Sequence, residues 1–499
     1  MFAVPAWLHR IRGKQSVVMA VAGIAVFTDM LIFGLAIPVL PKLLETMVDN
    51  VSTANGILSG SFAVGLLVGA PISGRLSDKY CNRQIPMCVG LVALLVSTLL
   101  FGIGKAYWQL ILARIVQGAA SGASWSVGFS MVADVYPPEK AGVVMGTVMG
   151  CNTLGHLMGP TIGGLLYEAG DQHTPFIFGA CLAFVDLVAR LVVGETYYWK
   201  DIYAQDDPVD LAVDSQLAPD GELKSETSVE GRMTLDGEAQ STTATTTDVV
   251  DPDDEVQAKA SRRSGGVELT VWEMLKSWRV VAVCIVSFDI ALIMSGLDPI
   301  LPLYLASEFD LSPGIIGLVF MAIVLPNAFM SPLVGWLIDR FQPNRIIICC
   351  AGLVLTSVLC PLITLPKILG VTIFTLSLTG AMLSIALSPV NPELLYFMHE
   401  KGSNSFGVMY ALFNIAFSIG MFIGPVMTGP MYERIGFLNT MLCIMGISLA
   451  VFAVLLGVEL VKIHNHRRRS TIPLGEEVDG KVVSNAPVDE IIAADKEIA

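Results

Sequence analysis

The sequence predicts an all-α membrane protein: twelve transmembrane helices in two pseudo-symmetric six-helix bundles. Three observations lead there. Of its 499 residues, 54% are hydrophobic and only 15% charged, where soluble domains carry about a quarter charged residues. Apolar runs of about 20 residues recur along both halves, each enough to cross a hydrocarbon core of roughly 30 Å. The two halves also repeat one another. PISGRLSDKYCNRQI (71–85) reads against PLVGWLIDRFQPNRII (332–347), and IPVLPKLL (37–44) against DPILPLYL (298–305), both at an offset of 261. LMGPTIGGLLYE (157–168) matches FIGPVMTGPMYE (422–433) at an offset of 265. Parallel repeats of this kind are the layout of transporters that rock two bundles around a midplane site.

The elements follow in order. Residues 1–15 (MFAVPAWLHRIRGK and Gln15) form a basic cytosolic N-terminus. The run behind them is too long for a cleaved leader and reads as the first span. The N-terminal bundle, 16–198, has expected spans at 16–40, 54–75, 84–104, 107–133, 141–166 and 175–196. Residues 199–276 form an acidic linker. Between Asp201 and Ala260 there are 16 Asp/Glu against three Lys/Arg, which accounts for −13 of the net charge of −14. That segment is poor in aromatics and rich in Ser, Thr and Asp, the composition of a disordered chain. The C-terminal bundle, 277–461, has expected spans at 279–304, 313–338, 345–365, 369–396, 405–430 and 437–461, followed by a tail, 462–499. Lys and Arg concentrate in the N-terminus, the tail (Arg467, Arg468, Arg469) and alternate loops (Arg75, Lys79, Arg83, Arg279, Arg340, Arg345). The positive-inside rule then places both termini and the linker in the cytosol.

Several function classes are excluded. The nine cysteines are scattered, without metal-ligand spacing. There is no phosphate loop and no nucleophile constellation, so no enzyme, metal, cofactor or nucleic-acid partner is expected. The expected partners are a small organic substrate, protons and the lipid bilayer, with the chain acting as a monomer.

At the motifs the chain resembles the major facilitator superfamily. GRLSDKYCNR resembles the signature between that family's spans 2 and 3, with Asn82 where the family usually has Gly. The resemblance implies a conformational switch at Gly74, Asp78 and Arg83, echoed by Gly335, Asp339 and Arg340. LARIVQGAASGAS (112–124) resembles the span 4 motif, with Arg114, Gln117 and Gly118. LGHLMGPTIGG (154–164) resembles the helix-packing motif of twelve-span drug:proton antiporters, with Gly155, Gly159, Pro160, Gly163 and Gly164. Within that group the chain looks most like vesicular amine transporters and fungal metabolite and toxin exporters. Asp29, in FTDMLIFGLAIPVLP, falls where they recognise an amine, and Asp298 falls on their span 7 Glu-Pro. Three of their charged positions are replaced, by Phe62, Leu387 and Asn414.

Asp29 lies midway along an apolar span, where a charge costs about 2.5–3.5 kcal/mol and so needs a cavity or a partner. A fixed ion-pair or hydrogen-bonding role is the plainer alternative. Arg114 stays charged and needs an anion or carbonyls nearby. His156 can titrate near neutral pH or serve helix packing, and Asn414 can line a pocket or join helices. Asp186 and Arg190, spaced i,i+4, read as mutually neutralising. Glu393, near a helix end, reads as interfacial.

The reading that follows is proton-coupled antiport by alternating access, exporting a secondary metabolite, toxin, drug or amine. Asp29, Arg114, Asp298, His156 and Asn414 are its candidate site. The alternative is an organic-anion carrier in which Arg114 and His156 bind carboxylate. The cell membrane is the expected location, with a vacuolar or other organelle membrane second.

Overall fold

The computed structural model describes residues 15–80, 82–136, 138–192, 269–341, 344–364, 367–402 and 406–470. The chain divides into one unit made of 1–197 and 268–499, and a second, 198–267, which lies outside the described residues together with most of the acidic linker. The side chains of Asp78 and Asp339, two of the expected switch residues, are also outside them.

Every regular element among the described residues is a helix. In the first half these are α1 (Gln15–Leu35), α2 (Leu40–Leu44), α3 (Val51–Lys79), α4 (Gln84–Ile103), α5 (Tyr107–Val135), α6 (Pro138–Ala169) and α7 (Thr174–Val192). In the second they are α8 (Val271–Lys276), α9 (Trp278–Phe309), α10 (Pro313–Phe341), α11 (Arg345–Leu362), α12 (Leu369–Leu387), α13 (Val390–Glu400) and α14 (Phe406–Ser470). Among the described residues, nine helices are long and apolar enough to cross a membrane. α5 and α6 are just as long, but polar and small side chains dilute them. α14 holds two segments joined at Gly436, whose φ of 76° breaks the helix. All twelve expected spans overlap these helices.

The differences from expectation have local causes. The first span stops at Leu35 because Pro38 and Pro41 cannot continue the hydrogen-bond ladder, so residues 36–39 form turns before α2. The expected span 369–396 divides at Ser388 and Pro389 for the same reason. Residues 269–276, expected to be linker, end in helix α8. Thr270 and Glu273 form a reciprocal capping box there, and Met274 is fully buried. The last helix runs on to Ser470, beyond the expected 461.

Small residues set the packing. A Cβ on Gly155 would meet the Phe27 carbonyl. One on Gly159 would lie 2.7 Å from Gly34 Cα, and one on Gly163 2.7 Å from Leu35 Cα. The face of α6 carrying these residues, spaced four apart, therefore lies backbone-to-backbone on α1. Gly164 faces the other half, where its Cβ would come 3.0 Å from Gly314 Cα. α6 thus joins α1 to α10, and α3 joins the first half to α14 through Gly56, Gly60 and Gly429.

The hydrogen bonds between the halves among the described residues all lie on one side of the molecule. Ser52 donates to the Gly429 carbonyl (3.0 Å), Thr53 to Glu433 (2.5 Å), Asn55 to the Pro299 carbonyl (2.7 Å) and Thr161 to the Gly317 carbonyl (2.9 Å). Ser312 donates to Glu168. At the opposite end, the described ion pairs stay within a half. Arg83 pairs with Asp134 (3.0 Å), and Glu393 receives both Arg279 (2.6 Å) and Arg345 (3.4 Å). The molecule is closed where Glu168 and Glu433 lie.

Candidate functional site

The site is built on one face of α5. Arg114, Gln117, Ser121 and Trp125 follow at intervals of three, four and four, which places them in one stripe. Opposite runs α1, with Asp29 and Phe33 one turn apart. Asp29 is fully buried, and Ser121 donates its hydroxyl to the carboxylate. The Trp125 indole also faces it, and Asp186 of α7 lies within electrostatic reach of both Asp29 and Arg190. The other carboxylate oxygen of Asp29 has no hydrogen-bond partner among the described residues.

Arg114 occupies the other end of the stripe, 1% exposed. It donates to Gln117 Oε1 (2.6 Å), and its guanidinium lies 4.9 Å from the ring centroids of both Phe33 and Phe101. Such contacts suit a weakly hydrated, delocalised cation. Phe33 also touches Phe62 (4.5 Å) and stacks on His156 (6.0 Å), so one ring joins α1, α3, α5 and α6. Arg114 Nε has no hydrogen-bond partner among the described residues.

Asp298 comes from the other half. It is buried in α9 and exchanges charge interaction with Arg114, although no direct ion pair joins them among the described residues. Pro299 and Pro302 remove two N–H donors here, leaving the Ser295 and Asp298 carbonyls without their helical partners. Asn55 of α3 reaches across to the Pro299 carbonyl.

The expected residues therefore divide. Asp29 is placed with Ser121 and Asp186 inside the first bundle. Arg114 is placed with Phe33, His156 and Asp298 where the halves meet. Asn414 is half-buried on α14, joined by hydrogen bonds to none of them among the described residues. Asp289, one position from the repeat counterpart of Asp29, faces another way and accepts from Ser448 (3.1 Å) inside the second bundle. Arg83 donates to Asp134 (3.0 Å) and to Ser77 (2.9 Å) within its own half. Gly74 lies beside Ser126, while Gly335 has open space and Arg340 packs over Trp336. Sequence reasoning passed over Ser121, although its place seven residues after Arg114 on the same helix face would have found it. It also read Glu393 as interfacial, whereas the structure makes it the ion-pair centre of its half.

A family model described as Major Facilitator Superfamily matches residues 22–219 and 283–488. The chain belongs to the major facilitator superfamily. An uncharacterized MFS-type transporter of Schizosaccharomyces pombe is 26% identical over 458 residues, covering 88% of this chain and 94% of the relative. The vesicular acetylcholine transporter of Drosophila melanogaster is 23% identical over 454 residues, covering 85% of this chain and 68% of that one. Among solved structures, the human organic anion transporter MFSD10 superposes with a TM-score of 0.58 at 18% identity, covering 89% of this chain and 99% of that one. This superfamily member is thus a multi-pass membrane transporter of small organic substrates, and not an enzyme.

Proposed function

We propose that this chain is a proton-coupled antiporter that exports a small organic cation or neutral amphipath (an amine, drug, toxin or secondary metabolite) by alternating access. The observation that carries the reading is the polar stripe of α5. It runs from Ser121, bonded to the fully buried Asp29 of α1, to Arg114, beside Asp298 of the opposite half. Asp29 takes up and releases the coupled proton. Ser121, Gln117 and Arg114 link that event to Asp298, so the attraction between the halves follows the state of the first bundle. Phe33, Phe62 and His156 offer aromatic surface to an amphipathic substrate at the same junction. Gly74, Asp78, Arg83, Gly335, Asp339 and Arg340 serve the conformational switch. The chain acts as a monomer in the cell membrane, with a vacuolar or other organelle membrane as the second location. The basic loops put the termini in the cytosol, so the closed end faces away from the cytosol.

The test is uptake in proteoliposomes under an imposed pH gradient, with amines beside carboxylates. Asp29→Asn is expected to abolish gradient-driven transport while leaving substrate-induced stabilisation detectable. Unchanged coupled uptake would refute the proton role. A second reading, an organic-anion carrier, is favoured by the buried guanidinium of Arg114, whose Nε has no partner among the described residues. Carboxylate transport that survives Asp29→Asn and is lost in Arg114→Ala would select it.

A further inference from the structure

The two glutamates that close the molecule occupy equivalent places in the repeat. Glu168 ends LMGPTIGGLLYE and Glu433 ends FIGPVMTGPMYE, and the offset between them is 265. Each follows a Tyr, and each stands at the end of a helix segment that crosses the interface between halves. Glu433 accepts from Thr53, at the start of α3 in the first half (2.5 Å). Glu168 accepts from Ser312, just before α10 in the second half. The bonds are thus reciprocal: each half offers one carboxylate and receives one.

Both sit above backbone contacts that cannot tighten further. A Cβ on Gly314 would strike the Glu168 carboxylate, and one on Gly429 would come 3.1 Å from Gly56 Cα. Ser52 and Thr161 add hydroxyl-to-carbonyl bonds beneath the two glutamates. Glu433 also lines a vestibule of about 650 Å³ with Asp49, Glu308 and Lys367. There, Lys367 is engaged by Glu308 (2.8 Å) within its own half, and Asp49 comes from the first.

We propose that Glu168 and Glu433 form a two-point latch, related by the internal repeat, that sets the equilibrium between the closed and open states of this end. The inference rests on the alternating-access reading above but uses neither its substrate nor its proton. Each latch is a single charge-assisted bond at an exposed rim, so its loss changes the equilibrium by about threefold to tenfold. The latches restrain one shared motion, so their effects multiply.

The experiment uses the full chain in lipid nanodiscs without substrate or gradient. Nitroxides are carried at Glu45→Cys and Ile368→Cys, exposed sites at this end in opposite halves. The nine native cysteines are replaced by Ser, so that only the introduced thiols carry label. Distance distributions are expected to show the open population rising about threefold to tenfold in Glu168→Ala or Glu433→Ala. The double variant should show the product, and Glu→Gln, which keeps a carbonyl acceptor, a smaller rise. Thr53→Ala and Ser312→Ala should reproduce the single effects and decide the matter if the glutamate variants do not fold. Wild-type distributions in all of these would overturn the latch. Such a result would leave the Asp29 test untouched, and failure of the Asp29 test would leave this one standing.

Discussion

The two ends of the molecule are held by different chemistry. At the Glu168 and Glu433 end, hydroxyls, an amide, two carboxylates and close glycine backbones cross from one half to the other. At the Arg83 and Arg345 end, the described ion pairs brace each half internally. The difference separates two tasks. On the alternating-access reading, the contacts that must break during a cycle are short, numerous and individually weak. Contacts that must survive it are ionic and stay within a rigid body, where domain motion leaves them intact.

The largest effect should come from forcing the closed end apart. A Cβ at Gly56 would strike the Pro425 carbonyl and approach Gly429 Cα at 3.1 Å, and both neighbours are backbone. Gly56→Ala is therefore expected to cost about 1–3 kcal/mol, as overpacking does, and to widen the spacing of α3 and α14. Its contrast is Gly335, where an added Cβ would meet nothing within 4 Å among the described residues. Gly335→Ala should leave thermal stability unchanged or raise it by up to about 1 kcal/mol, because Ala suits a helix interior better than Gly. Thermal unfolding of both variants in nanodiscs checks the contrast. Equal destabilisation would show that the two ends are packed alike.

How much of this was legible in the sequence depends on which side of a helix a residue faces. The spans could be read because apolar runs and prolines act locally, and the repeat because its motifs share an offset. Asp29 was legible through its cost in an apolar run, and Arg114 through its motif. The pairing of Thr53 with Glu433, 380 residues apart, was not. Polar residues at helix ends are unremarkable in a membrane protein, and only tertiary packing says which of them meet. The repeat held the clue, since both glutamates close its matched segments. At Asp29 the repeat offers no counterpart, for the offset of 261 points to Ile290 and the neighbouring Asp289 accepts from Ser448 instead.

A middle-sized effect distinguishes the braces of the two halves. Glu393 is buried and serves two arginines, while Asp134 serves Arg83 from a more open position. Glu393→Ala strands Arg345 and half of the Arg279 contacts, so it should cost about 2 kcal/mol. Asp134→Ala should cost about 1 kcal/mol, nearer the value of partly exposed pairs. Neither should alter the distances across the closed end. If Glu393→Ala opened that end, the ionic contacts would have to couple the halves, and the division of tasks between the two ends would fail.

The smallest effect concerns pH, and it should be alike at both ends because the same capping chemistry serves each. Asp171, in the turn before α7 at the closed end, accepts from the backbone N–H of His173 (2.9 Å) and Thr174 (3.1 Å) and from the Thr174 hydroxyl. Those donors, the His173 N–H foremost, hold its carboxyl below the usual carboxylate range. Glu273, in α8 at the opposite end, is held low in the same way, first by the Thr270 backbone N–H at 2.8 Å. A carboxyl whose folded pKa is depressed stabilises the fold fully above its unfolded pKa, and the contribution fades as pH falls through the folded value. Both turns should therefore keep their amides protected at neutral pH and lose protection only in acid below the ordinary Asp and Glu range. Hydrogen exchange of 170–176 and 269–275, corrected for intrinsic rates, reads this directly. Asp171→Asn and Glu273→Gln should each flatten the profile of their own turn alone. Loss of protection at one end in the variant of the other would mean that the ends are coupled through the bundles even in this modest range.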